Sequence, residues 1–139
     1  MPDIVDDPVL PDPVEALRLF LRTCSTVTAG VGDRIGTDLN GSQAAIRLAL
    51  IGGAAGRGEG QPLVQVESWG ATGDDDGSSL RTALAVMPAV ERMRGEFAGG
   101  WVAGAHAEGH PFASPDPTSG RARHLLTVRL HTYALEGTA

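Results

Sequence analysis

The chain has 139 residues, enough for one domain with a single hydrophobic core. Its 42% hydrophobic and 20% charged residues are typical of a globular protein, and no apolar run approaches the roughly 18 residues of a membrane span. The net charge is −6 and all 11 basic residues are arginine, which excludes a broad basic face for nucleic acid, while the single Cys24 excludes an internal disulfide.

The first eleven residues predict a flexible arm, because they are acidic and interrupted by three prolines. A single α+β domain is expected over residues 12–139. It opens with a helix in "DPVEALRLFLRTC", where Asp12 is suited to cap the first turn and Pro13 to occupy it. The apolar residues of this helix recur with helical spacing and predict one buried stripe, which consists of Val14, Leu17, Phe20, Leu21 and Cys24.

The next segment predicts a turn region and a short strand over residues 34–39, followed by two longer strands. The first has a period of two, with Ile46, Leu48 and Leu50 on one face. The second directs Val64 and Val66 to one face and the polar Gln65 and Glu67 to the other. Between them lies the glycine-rich stretch 52–60.

A second long helix is predicted within residues 74–97, with a kink at Pro88 and helical spacing that continues to Phe97. A strand beginning at Trp101 and a final strand in "RHLLTVRLHTYAL" follow, separated by turn residues. Leu126, Val128 and Leu130 are expected to point inward in the final strand. The order predicts an α+β fold, a mostly antiparallel sheet of about four to five strands with two helices packed on one face.

The glycine-rich stretch "GGAAGRGEG" does not fit a phosphate-binding loop. A P-loop needs a lysine and a hydroxyl residue after its last glycine, but Glu59 and Gly60 follow Gly58 here. A dinucleotide fingerprint also fails, because Gln61 stands where a third glycine is required. The stretch therefore predicts a long, flexible hairpin tip that carries Arg57 and Glu59 and is suited to touch a neighbouring molecule.

No catalytic or metal site is predicted, and the protein is expected not to be an enzyme or to carry a cofactor. His106 and His110 are four residues apart, but Gly109 and Pro111 do not suit a helical metal pair, and His124 and His131 fall on opposite faces of a strand. The histidines are therefore interpreted as solvated or interface residues. The acidic run Asp74, Asp75 and Asp76 is interpreted as the capped, solvated start of a helix, although an acid–base or metal role stays open.

The layout resembles that of the tail terminator proteins of long-tailed siphophages, particularly those that infect actinobacteria. The resemblance extends from about Asp12 to Leu135 and is carried by "VGDRI" at 31–35, "VQVESWG" at 64–70 and "SGRARHLLTVRL" at 119–130. It implies a structural virion protein in the tail and neck region, made in the host cytoplasm. Such a protein forms a ring, expected to be a hexamer, that ends growth of the tail tube.

The resemblance also implies the partners: further copies of the chain, the tail tube protein and a head-completion or stopper protein, with DNA passing through the lumen without specific binding. Ring closure requires two different patches to meet, and complementary charge favours the correct register. The interface candidates are Arg57, Glu59, Asp74, Asp75, Asp76, Arg121, Arg123 and Arg129. Another neck component, a host-directed binding module, and a small enzyme or ligand-binding domain are the alternatives.

Overall fold

A computed structural model describes residues 7–74 and 76–135. Within these residues the chain forms three helices and seven strands, in the order α1 (Pro13–Leu21), α2 (Ser25–Val31), β1 (Ile35–Gly36), β2 (Ala45–Gly56), β3 (Glu59–Trp69), α3 (Asp76–Val90), β4 (Gly95–Phe97), β5 (Gly100–Ala107), β6 (Phe112–Ala113) and β7 (Arg123–Ala134). None of the helices in this part of the chain is long and apolar enough to cross a membrane.

The strands form one sheet in the order β1-β2-β3-β7-β5-β4, with β6 added to β7. Every pairing is antiparallel except that of β1 with β2. The α+β class and the mostly antiparallel sheet are confirmed. The sheet has more strands than the four to five predicted, because β1, β4 and β6 contain only two or three residues and are set by pairing rather than by a local pattern.

The helices cover one face of the sheet and share a single core with it. Leu17 and Leu21 of α1, which the apolar stripe predicted, are fully buried there. The Asp12 side chain accepts hydrogen bonds from the backbone amides of Val14 and Glu15, so the predicted cap is confirmed. The sheet contributes alternate positions, namely Ile46, Leu48, Val64, Val66, Val102, Ala105, Leu126, Val128 and Leu130. We call the opposite side, which no helix of the described residues covers, the open face.

The prediction of two helices was wrong, because α2 forms where a turn was expected. Its Val27 and Val31 are completely buried in the core. The prediction that the last helix runs to Phe97 was wrong as well: Pro88 lies inside α3, and the helix ends at Val90. Phe97 instead belongs to the β4–β5 hairpin, whose turn residues Ala98 and Gly99 have φ of 51° and 79°. Two positive φ values in succession are characteristic of the type I′ turn.

The glycine-rich stretch is extended strand for most of its length. The β2–β3 hairpin reaches a two-residue turn at Arg57 and Gly58, so the predicted hairpin is present but its loop is short. The register shifts between Leu50 and Gly52, which leaves Ile51 as an extra residue in β2. At the same level of the sheet Pro62 interrupts the bridges between β3 and β7, because proline has no amide hydrogen to donate.

The predicted arm falls partly outside the described residues, which begin at Asp7. Leu10 and Pro11 lie against the sheet: a Cβ added to Gly60 would approach Leu10 Cδ1 to 3.1 Å, and one added to Gly100 would approach Pro11 Cγ to 2.5 Å. With the hairpin they line a shallow apolar groove of about 220 Å³. Residues 10 and 11 therefore pack on the domain, and the boundary at residue 12 stays a prediction.

Candidate assembly surfaces

The sheet separates most of the predicted interface residues into two groups. Arg57 and Glu59 lie at one end of β3, which we call the tip end. Arg121, Arg123 and the acidic residues around Asp74 lie near the other end of β3, the base end. The eleven residues of β3 span about 33 Å at the rise of an extended strand.

At the tip end Arg57 Nη2 lies 3.6 Å from Asp7 Oδ1, and both side chains are largely exposed. Glu59 is opposite Tyr133 of β7, which in turn is opposite Trp101 of β5. The two aromatic side chains are 43% and 38% exposed, respectively. The tip end therefore combines exposed charge with exposed aromatic surface, a composition that is enriched in protein interfaces. Sequence reasoning missed Trp101 and Tyr133, because only the β5–β7 register makes them neighbours.

At the base end Arg121 binds the backbone of two loops. It donates from Nε to Gly70 O at 2.7 Å, from Nη1 to Gly41 O at 3.1 Å and from Nη2 to Gln43 O at 2.7 Å. Its guanidinium carbon lies 5.5 Å from the ring centroid of Trp69. Since three of its five N–H donors are used within the chain, Arg121 holds loops together and has less bonding capacity left for a neighbouring molecule.

Arg123 contacts the same tryptophan. Its guanidinium carbon lies 5.1 Å from the ring centroid of Trp69, and its Nε donates to Ser114 O at 2.8 Å. Trp69 also donates from Nε1 to the carboxylate of Glu67, which is only 5% exposed. Arg47 pairs with that carboxylate across the strands, with Nη1 and Oε2 separated by 2.8 Å. Arg47, Glu67, Trp69 and Arg123 thus form a polar cluster on the open face. Glu67 points away from the core, as predicted, but its partners bury it.

The acidic candidates border this cluster. Asp74 and Asp76 are exposed, and Asp75 lies outside the described residues. Asp74 accepts a 3.4 Å hydrogen bond from Ser78, whose Oγ is 3.5 Å from the position of a Cβ on Gly70. Because Gly70 O also binds Arg121, the acidic and basic candidates of the base end are neighbours within the chain.

Arg129 lies on the open face between the two ends. It donates from Nε to Glu108 Oε1 at 2.6 Å, and the same oxygen is 3.2 Å from His106 Nε2. The hydrogen bond from Arg129 lowers the pKa of the Glu108 carboxyl against a smaller opposing effect of desolvation, and the charges of Arg129 and His106 lower it further. The rings of His106 and His131 stack with centroids 5.5 Å apart, an aromatic contact that their separation in sequence did not indicate.

One pair has the geometry of a nucleophile and its base. Ser79 Oγ lies 2.8 Å from His124 Nδ1, and Ser68 on the adjacent strand donates to Ser79 O at 2.8 Å. The exposed fractions of Ser79 and His124 are only 1% and 5%, so the pair holds α3 against the sheet and has no access to a substrate. His124 therefore differs from the solvated or interface histidine that was expected. Within residues 7–74 and 76–135, no group of three or more His, Cys, Asp or Glu is placed to hold a metal ion.

No protein-family model matches this chain, and no curated protein matches it. Among solved structures, the chain is similar to a chain of the virion of the native gene transfer agent (GTA) particle. The two share 15% sequence identity with a TM-score of 0.64, and the match covers 86% of this chain and 92% of that chain. The likeness therefore concerns the fold of nearly the whole domain.

Proposed function

We propose that this protein is a structural component of a phage or phage-like virion that closes the end of the tail tube as a ring. The observation that carries the proposal is the fold, which matches 92% of a chain from the GTA virion and leaves little of either domain unmatched. The resemblance of the segments 31–35, 64–70 and 119–130 to tail terminators favours that position in the particle. The ring ends tube growth and presents the surface that joins the head.

The distribution of side chains supports a role in assembly. A structural subunit needs a rigid body with contact surfaces at its ends. At the base end, the bonds of Arg121 and the polar cluster around Trp69 hold the loops and strands in place. The tip end keeps its charged and aromatic side chains exposed. Arg57 and Glu59 are therefore the stronger contact candidates, and Asp74 and Asp76 remain available at the base. We propose that Arg121, Arg123 and Arg129 act mainly by shaping the surfaces around them.

Electron microscopy of particles made without this protein tests the proposal. Over-long tail tubes that are not attached to DNA-filled heads are the expected result. Tails of normal length beside heads that cannot join would instead assign the protein to the head side of the neck. Normal, infectious particles would contradict a structural role altogether. Complementation with the wild-type gene is the control, because it must restore joined particles.

A further inference from the structure

The outer edge of β2 is open over most of its length. Strand β1 pairs only with Ile46 and Arg47, and Ile46 N donates to Arg34 O at 2.9 Å on that side. Hydrogen bonds alternate between the two sides of a strand, so the backbone groups of Leu48 and Leu50 point to the same outer side. Within the described residues no strand follows there, and these groups have no strand partner.

The open edge continues to the tip. Gly56 and Glu59 flank the two-residue turn and bond to each other across the hairpin, so the backbone of Ala55 points outward. Residues 48–56, "LALIGGAAG", contain no charged side chain and no proline. Proteins usually protect an exposed edge with such residues, and here only the bulge at Ile51 interrupts it. An uncharged row of unpaired backbone groups is suited to bind an extended strand.

A second open edge lies on the other side of the sheet. Strand β4 pairs with β5 only over residues 100–102, and beyond them β5 is paired with β7 alone, with a bulge at Ala103 where the register shifts between Val102 and Gly104. His106 is opposite Arg129, and Glu108 N donates to Thr127 O at 2.8 Å toward β7. By alternation Ala105 and Ala107 direct their backbone groups outward. Residues 103–107, "AGAHA", carry no Asp, Glu or Arg.

The directions of these two edges match. Three antiparallel steps, β2 to β3 to β7 to β5, separate them, so β5 runs opposite to β2. When a second copy is placed beside the first in the same orientation, its β5 edge meets the β2 edge as an antiparallel partner. The two edges of one chain are different patches, and contacts between different patches repeat into rings or filaments.

We infer that the free edge of β2 (residues 48–56) pairs with the free edge of β5 (residues 103–107) of a second copy and so continues the sheet from subunit to subunit. The inference specifies the subunit contact of the ring and rests on the proposed function. The occupant of both edges is another copy of this chain. The exposed Leu50 and Ile51 are covered when the strands meet.

Cysteine cross-linking identifies the paired edges. Ala103→Cys is combined in turn with Ile51→Cys, Ala54→Cys and Ala55→Cys, all at exposed positions, while the native Cys24 is buried. Directly opposite residues of a non-hydrogen-bonded pair bring their Cβ atoms close to the separation that a disulfide requires, which is why three partners are tried. At least one double variant should give a ladder of dimers, trimers and higher species under mild oxidation. Efficient dimers from Ala55→Cys alone, with no ladder from any double variant, would mean that two β2 edges meet and would overturn the inference.

Ala55→Pro removes the outward amide of the edge and preserves the bonds of β2 to β3, whereas Ala55→Ser keeps the amide and is the matched control. Sedimentation of the purified proteins over a range of concentrations should show self-association of wild type and Ala55→Ser. Association of Ala55→Pro should be weaker by about tenfold or more, as expected for one lost hydrogen bond and a poorer strand contact. Circular dichroism must show the same folded monomer for all three proteins.

The outcomes separate the two proposals. If wild type and Ala55→Pro associate equally, the edge inference is overturned and the ring role is not. A wild-type protein that stays monomeric at every concentration and forms no ladder also overturns the inference. Normal particles in the absence of the protein contradict the proposed function, and they do so whatever the cross-linking result.

Discussion

Glu67 is the residue on which the polar cluster of the open face depends. Its carboxylate accepts hydrogen bonds from Arg47, Trp69 and Gln65 while only 5% of the residue is exposed. Removing this buried carboxylate takes an acceptor from all three side chains, although Arg47 also donates from Nε to Thr37 O at 3.1 Å. The cluster is therefore sensitive to a change at its centre.

We predict that Glu67→Ala lowers the free energy of unfolding by about 1–3 kcal/mol, since it leaves the buried Nε1 of Trp69 without its acceptor and removes the partner of the partly exposed Arg47. Denaturant unfolding measures the change. Glu108→Ala is the control, because its pair with Arg129 is more exposed and should contribute clearly less. Equal losses of unfolding free energy in the two variants would mean that the buried hydrogen bonds of Glu67 add no more stability than an exposed ion pair.

Ala98 has a left-handed backbone conformation, which is unfavourable for alanine. Among the described residues it is the one non-glycine with positive φ, at 51°. Left-handed backbone costs an L-residue about 1 kcal/mol or more, and asparagine tolerates it best. Ala98→Asn should therefore raise the melting temperature by about 3 °C. Ala98→Val should lower it, since a β-branched side chain increases the strain. If both variants melt at the wild-type temperature, the turn contributes no strain.

At the scale of elements, the packing of β2 on β3 leaves no room for a side chain at Gly53. A Cβ added there would lie 2.3 Å from Gln61 O and 2.7 Å from Pro62 Cα, whereas one added to Gly52 would meet no atom within 4 Å. Both glycines have positive φ, 115° and 136°, so an alanine at either position has unfavourable backbone. The two positions differ mainly in the space available.

We predict that Gly52→Ala loses about 1–2 kcal/mol of stability from backbone strain alone. Gly53→Ala should lose clearly more, because its methyl group cannot be accommodated unless the backbone of β3 moves. Thermal unfolding of the two variants gives the comparison. A Gly53→Ala variant as stable as Gly52→Ala would mean that the strands are further apart than described.

The turn that leads into β7 contains a carboxyl with an altered titration. Hydrogen bonds from the Ser119 hydroxyl, at 2.6 Å, and then from its backbone amide lower the pKa of Asp116. A carboxyl with a lowered folded pKa adds stability above its unfolded pKa of about 3.9, and this contribution is lost as the pH falls through the folded value. NMR titration should place the pKa of Asp116 below that reference in wild type. In Ser119→Ala it should rise toward the reference. If the pKa of Asp116 is the same in Ser119→Ala as in wild type, the Ser119 hydroxyl is not the cause of its lowering.

The elements that the sequence predicted correctly are those with local chemistry. Asp12 and Pro13 mark the start of α1, and alternation places Val64, Val66, Leu126 and Leu130 in the core. The sequence over α2 gave no such signal, because its valines, threonines and glycine have low helix propensity. Burial of Val27 and Val31 stabilises the helix, and that depends on distant parts of the chain.

The same distinction applies to the candidate site. Arg57 was predicted at a hairpin tip from local glycines and lies there. The surroundings of Arg121 and Arg123 were not predictable, since they depend on Trp69, which is about fifty residues earlier in the chain. No local sequence pattern indicates that Arg121 and Arg123 both contact the indole of Trp69 on the neighbouring strand. The free edge of β2 was missed for a similar reason, because it depends on how short β1 is.

At the scale of the whole molecule, charge determines the behaviour toward DNA. The net charge is −6, and Arg121, Arg123 and Arg129 are bonded within the chain. A protein that neutralises few phosphates binds DNA weakly at any salt concentration. The purified protein should therefore not retard duplex DNA in gel electrophoresis, even at low salt. Retardation that falls steeply as salt is raised would reveal a phosphate-binding surface and contradict the expectation of a non-adhesive lumen.

The sheet is weakened at the level of Ile51, Gly53 and Pro62, and this affects how the hairpin tip beyond it can move. The bulge in β2 and the missing bridges beside Pro62 weaken the sheet at one height, and the hairpin beyond it has few large side chains to anchor it. Segments with few buried contacts open independently of the core, and their amides exchange with solvent faster. The amides of residues 54–60 should therefore form a fast-exchanging class, while those of residues 64–68 exchange only through global unfolding. The tip can thus adjust its position as a unit while the rest of the domain stays rigid.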